Sequence, residues 1–138
     1  MRLLIVLAGI GQLVLVAGST FIPRALRWRE ETARLAPLLR QVFWTYAAYI
    51  LVINASFGLV STFGPDWLLD GSPLAAAVTG FMAAYWGGRL GVQFFYFDRS
   101  AMPRGRFYTL AEIGLVTLFA SLTLVYAAAC ASNLRLFR

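Results

Sequence analysis

Long apolar runs separated by short polar, arginine-bearing segments set the pattern of this chain. Residues 3–22, LLIVLAGIGQLVLVAGSTFI, supply about the 20 residues that a membrane-spanning helix needs. Comparable runs follow at about 42–63, 74–97 and 107–133. The pattern predicts an all-α integral membrane protein of one domain over residues 1–138, with four transmembrane helices in an antiparallel up-down bundle. A cleavable signal competes for the first run, because Arg2, the apolar stretch and Ala17-Gly18-Ser19 imitate its three regions. The apolar run continues through Phe21 and Ile22, past the imitation cleavage site, so a retained helix is expected.

Pro23 closes the first run, and RALRWREETARLAPLLR follows, with Arg24, Arg27, Arg29, Arg34 and Arg40 against Glu30 and Glu31. Leu26, Trp28, Leu35, Leu38 and Leu39 can lie in the headgroup layer while the arginines face water or phosphate. A short basic interfacial helix is expected between spans one and two, its five arginines meeting anionic lipid headgroups. The second connection, GPDWLLDGSP, carries Asp66 and Asp70 and no arginine, and its brevity makes spans two and three antiparallel neighbours. The third, DRSAMPRGR, carries Arg99, Arg104 and Arg106 with the breakers Pro103 and Gly105.

The third run, PLAAAVTGFMAAYWGGRLGVQFFYFD from Pro73 to Asp98, differs from the others in its density of small residues. Ala76, Gly80, Ala84 and Gly88 form one ladder at helical spacing, and Thr79, Ala83, Gly87 and Gly91 form a second beside it. Such a face lets another helix backbone approach closely, which matters in lipid, where burying apolar surface gains nothing. One ladder suffices for a neighbour within the chain, and two leave surface for a partner.

Polar residues inside the runs are the candidate chemistry. Gln12 and Asn54 each fall roughly 14 Å from the same end of their spans, counted at 1.5 Å per residue, and an amide pair between them is expected. Arg89 lies about 13 Å from the inner end of span three, and Glu112 within about 9 Å of the inner end of span four. A charge at that depth must pair or snorkel, so Arg89 is expected to pair with Glu112, with Gln93 one turn on adding a hydrogen bond. Three uses remain open for this group: a structural pair, a contact to lipid phosphate or a neighbouring subunit, or an anion, quinone or proton site. Trp44, Tyr46 and Tyr49 read as an aromatic belt. Phe94 to Asp98, Phe107 and Tyr108 read as anchors at the other interface or, with Tyr85 and Trp86, as a groove for an acyl or isoprenoid tail.

Composition narrows the choice. At 60% hydrophobic residues the chain is too apolar for a soluble domain. Its net charge of +6 comes from arginine, eight of the twelve lying in the connections between apolar runs, which points to headgroups and orientation rather than nucleic acid. Eight arginines fall in the first and third connections and none in the second, placing those two connections in the cytoplasm and both termini outside, as in a bacterial-type inner membrane. Histidine is absent and Cys130 is the lone cysteine, so histidine-ligated metals, Cys-His nucleophiles, iron–sulfur clusters and internal disulfides are excluded. Cys130, in AAACAS, reads as a packing residue. The expectation is a non-catalytic accessory or structural subunit without a cofactor, packing on itself or a larger membrane protein through span three. The alternative is an oligomeric transporter or channel around Arg89, Glu112 and Asn54. A membrane enzyme of lipid or quinone chemistry ranks third, for want of acid–base and metal-ligating residues.

Overall fold

A computed structural model of the chain describes residues 1–25, 27–95 and 105–134, and every regular element among them is helical. The order is α1 (Arg2–Ser19), α2 (Ile22–Ala25), α3 (Trp28–Thr32), α4 (Pro37–Phe63), a 3-10 turn (Pro65–Leu68), α5 (Pro73–Phe95) and α6 (Arg106–Asn133). Three helices are long and apolar enough to cross a membrane: α1, α4 and the Thr109–Asn133 part of α6. The fourth expected span, α5, has the length at 23 residues but falls short in apolarity, because Arg89, Gln93 and its glycines dilute the run.

Boundaries moved where local chemistry outweighs hydropathy. Helix α1 ends at Ser19 rather than residue 22, and the Ser19 and Thr20 hydroxyls turn back to the Val16 and Ala17 carbonyls. The single basic interfacial helix expected over 24–40 is divided. Arg27, at φ 54°, separates α2 from α3, and Pro37 in the first turn starts α4 five residues before the expected span, so Arg40 belongs to α4. Ser72 opens α5 by accepting the Ala75 N–H at 3.0 Å.

Polarity is distributed inside out. Leu3, Phe63, Leu74 and Leu124 are each at least two-thirds exposed, while Gln12, Ser61 and Thr79 are fully buried. Water would penalise that arrangement, but hydrocarbon penalises exposed polar groups instead.

Two helix pairs make up the body, α1 with α4 and α5 with α6, and α1 also touches α6. The first pair closes over glycine. A Cβ on Gly9 would sit 2.5 Å from Thr62 Oγ1, 2.7 Å from Thr62 N and 2.9 Å from the Gly58 carbonyl, so only a hydrogen at that position allows the crossing. The second pair uses part of the expected small-residue face. A Cβ on Gly80 would meet Cys130 Sγ at 3.2 Å, one on Gly87 would meet Thr123 at 3.5 Å, and Ala76 and Thr79 are buried. Ala83 is half-buried against the core, Ala84 and Gly88 are exposed, and Gly88 and Gly91 have open space where a Cβ would go. Cys130 packs as expected, its thiol 3.4 Å from the Ala76 carbonyl. Spans two and three touch through rings, Phe57 against Phe81 and Tyr85 at 6.0 and 5.4 Å, rather than through closely packed backbones.

Polar contacts gather three chain segments at one end. Arg2 pairs with Asp66 at 3.1 Å. Asn133, at the end of α6, donates to the Leu68 carbonyl at 2.7 Å and accepts from the Gly71 N–H at 3.1 Å. Gly71 holds φ +77°, and the neighbouring Asp70 carboxylate accepts the Ser72 N–H at 2.9 Å. Hydrogen bonding from Ser72, side chain first and backbone second, holds the Asp70 carboxyl below its ordinary value of 3.8.

Candidate functional site

Each of the four long helices contributes one fully buried polar side chain to a single knot: Gln12 from α1, Ser61 from α4, Trp86 from α5 and Tyr126 from α6. The Gln12 amide nitrogen donates to Tyr126 Oη and, at 3.2 Å, to the Ala8 carbonyl one turn back. Gln12 Oε1 accepts from Trp86 Nε1 at 3.3 Å, and Tyr126 Oη meets Ser61 Oγ at 2.5 Å. Both amide hydrogens are thereby used, and because Tyr126 oxygen accepts one of them, its own hydrogen is free for Ser61. Trp86 stacks on Phe119 with ring centroids 5.4 Å apart, which fixes the indole N–H toward Gln12.

This knot holds an amide, an indole and two hydroxyls, and no carboxylate, amine or imidazole. Its members satisfy one another in a volume closed to solvent, an arrangement suited to fixing helices rather than to moving protons. A second bond of the same kind lies beside it, where Tyr85 donates to Asn54 Oδ1 at 2.7 Å.

The expected pairings are redrawn accordingly. Gln12 and Asn54 do not meet: α1 and α4 cross over Gly9 and Gly58, and each amide turns instead to the α5–α6 pair. Among the described residues, no ion pair joins Glu112 to Arg89. Its guanidinium lies 5.6 Å from the centre of the Phe119 ring, a cation–π contact. The reason is register, because Phe119 stands seven residues beyond Glu112, about 10 Å further along α6. Glu112 is half-buried and Gln93 is buried, and among the described residues no hydrogen bond joins Gln93 to Arg89. Trp86, offered by the sequence as a groove lining, is instead part of the closed core. Residues 96–104 and 135–138, with Asp98, Arg99, Arg104, Arg135 and Arg138, lie outside the described residues, as do the side chains of Phe95, Phe107 and Tyr108.

At the basic connection, Arg27 pairs with Glu30 and Arg34 with Glu31, each three residues apart and exposed. Arg24, Arg29 and Arg40 make no ion pair among the described residues. Trp28, Phe43 and Trp44 form a triangle of edge-on rings 4.9 to 5.9 Å apart that ties α3 to α4. Tyr46 and Tyr49 are exposed, as a belt residue would be. Among the described residues, no three His, Cys, Asp or Glu side chains gather as metal ligands would.

Sequence reasoning found Gln12 and missed Ser61 and Tyr126. Tyr126 carried a usable signal, since it stands seven residues inside the end of its helix, too deep for the interfacial belt, and a tyrosine hydroxyl at that depth needs a partner. Ser61 gave none, because a serine in a span can satisfy itself on its own helix.

No family model, curated protein or solved structure matches the chain.

Proposed function

We propose that this protein is a small non-catalytic subunit of the membrane, crossing the bilayer four times in an antiparallel bundle and serving as an accessory or structural partner in a larger complex or homo-oligomer. The fourth crossing by α5 is supported by its exposed Leu74 and Phe81, which match the lipid-facing residues of the other three long helices. The arginine-rich connections face the cytoplasm of a bacterial-type inner membrane, and the acidic connection and both termini face outward.

The observation that carries the reading is the division of labour on α5. Ala76, Thr79, Gly80 and Gly87 serve α6, while Ala84 and Gly88 remain open on a second flank of the same helix. Small residues weaken a helix and expose its backbone, a cost that a close-packed neighbour offsets. The knot favours the same reading, because Gln12, Trp86 and Tyr126 spend their donors and acceptors on one another rather than on a passing solute. Native mass spectrometry from the protein's own lipids tests it. A complex is expected, and Gly88→Trp releases the monomer without unfolding it. Recovery of monomer alone, or an intact complex in the Gly88→Trp protein, refutes the reading.

Arg89 supports a second reading, an oligomeric transporter or channel around Arg89, Glu112 and Asn54, because its guanidinium lies over the Phe119 ring in the interior of the helix bundle. That reading requires solute flux in vesicles that Arg89→Gln abolishes.

A further inference from the structure

Where α3 leans on the start of α4, an open cleft of about 280 Å³ is lined by Arg29, Thr32, Ala33, Arg40 and Trp44. Its walls are two helical faces, with Arg29, Thr32 and Ala33 at i, i+3 and i+4 on one, and Arg40 and Trp44 at i and i+4 on the other. Three features give it a chemical preference.

The first is charge. The segment's two glutamates are taken by Arg27 and Arg34, so the two arginines facing the cleft are those whose charge no carboxylate offsets there. The second is the supply of donors. The carbonyls at this end of α3 are already engaged, Trp28 by the Thr32 hydroxyl at 2.5 Å, Arg29 by the Ala33 N–H at 3.1 Å and Thr32 by the Leu35 N–H at 3.0 Å. The cleft therefore offers guanidinium N–H groups beside carbonyls that each already accept a hydrogen bond, which suits a tetrahedral oxyanion. The third is depth. Trp44, locked edge-on against Trp28 and Phe43, stands where an indole marks the boundary between acyl chains and headgroups.

We infer that this cleft is a binding site for the phosphate of an anionic membrane lipid, held between Arg29 and Arg40 with the lipid's glycerol region against Trp44. The inference rests on the membrane reading of α4 and not on the existence of a protein partner. A volume near 280 Å³ lies at the lower edge of ligand-sized clefts, enough for a headgroup whose acyl chains remain in the bilayer.

The test reconstitutes the full chain into phosphatidylcholine vesicles with and without phosphatidylglycerol and counts, by native mass spectrometry, the lipid retained on release. One phosphatidylglycerol is expected to stay bound in preference to phosphatidylcholine. Arg29→Gln with Arg40→Gln lowers that retention about tenfold or more, as loss of charge-assisted hydrogen bonds predicts. Arg27→Gln with Arg34→Gln removes the same charge outside the cleft and leaves retention unchanged. Equal loss in both double variants would mean diffuse attraction to the surface and would overturn the site. Displacement of the retained lipid by millimolar inorganic phosphate would assign the cleft to a soluble phosphate and overturn the lipid assignment. Failure of the protein to float with either vesicle would instead refute the membrane reading, which separates the two failures.

Discussion

Tyr126→Phe removes a single oxygen from the centre of the molecule and leaves the ring in place, so it reads the hydrogen bonds of the knot with little change in packing. That oxygen accepts from Gln12 and meets Ser61, and both partners are fully buried. Interhelical hydrogen bonds in membranes contribute on average about 0.6 kcal/mol and up to about 1.7 kcal/mol each, so losing two costs about 1–3 kcal/mol. Gln12→Leu removes the bond to Tyr126 and the acceptor of the Trp86 indole, and the same arithmetic gives about 1–3 kcal/mol. The double variant is the sharper measurement. Once the phenol oxygen is gone, Gln12 no longer has that bond to lose, so the two changes together cost less than their sum by about 0.5–1.5 kcal/mol. The assay is reversible unfolding in mixed micelles of increasing sodium dodecyl sulfate, followed by near-ultraviolet circular dichroism. Additivity within about 0.3 kcal/mol would mean that the two side chains do not share a bond, and the knot would be refuted.

Gly9→Ala places a methyl group against the Thr62 backbone and is expected to cost about 1–3 kcal/mol in the same assay, whereas Gly88→Ala, in open space, is neutral or gains up to about 1 kcal/mol of helix propensity. Equal effects at the two sites would contradict the glycine crossing of α1 and α4. Asn133→Leu removes the bonds to Leu68 and Gly71, and it is expected to cost about 1–3 kcal/mol and to speed amide exchange at Gly71. Asp70 has a folded-state value below its ordinary one, so its contribution to stability is present above about pH 3.8 and lost as pH falls through the folded value. The melting temperature of the native protein should therefore fall more steeply on acidification below about pH 4 than that of Asp70→Asn, and parallel curves would remove the Ser72 interaction from the account.

Helix existence was legible in the sequence because hydropathy and length are properties of single segments, and the runs beginning near residues 3, 42, 74 and 107 each contain a helix. The status of α5 is where that signal weakens, since the same glycines and Arg89 that draw attention to the run also lower its apolarity. Helix pairing was less legible. Depth along a span can be counted from residue number, but rotation about the helix axis cannot. Gln12 and Asn54, placed at one depth, turned away from each other, and Arg89 met Phe119 rather than Glu112. On the small-residue face of α5, Ala76 and Thr79 are buried and Gly80 and Gly87 face α6, yet the crossing that leaves no room for a Cβ is that of α1 and α4 at Gly9, an isolated glycine that belongs to no ladder.

The placement of the knot follows from how helices hold together in lipid. Within each pair, α1–α4 and α5–α6, small residues let helices approach until dispersion suffices. Between the pairs the interactions are of another kind. The bonds Gln12–Tyr126, Gln12–Trp86, Ser61–Tyr126 and Asn54–Tyr85 all run from the first pair to the second. Separating the pairs would leave two amides, three hydroxyls and an indole facing acyl chains, whereas α5 and α6 share, among the described residues, the longer contacts of Cys130 with the Ala76 carbonyl and Asn133 with Thr79, both at 3.4 Å. Hydrogen bonds therefore specify which pair meets which, and close packing supplies the cohesion inside each. A polar group committed to that task in the folded chain is unavailable to a solute, so Gln12, Ser61, Trp86 and Tyr126 belong to the assembly of the bundle.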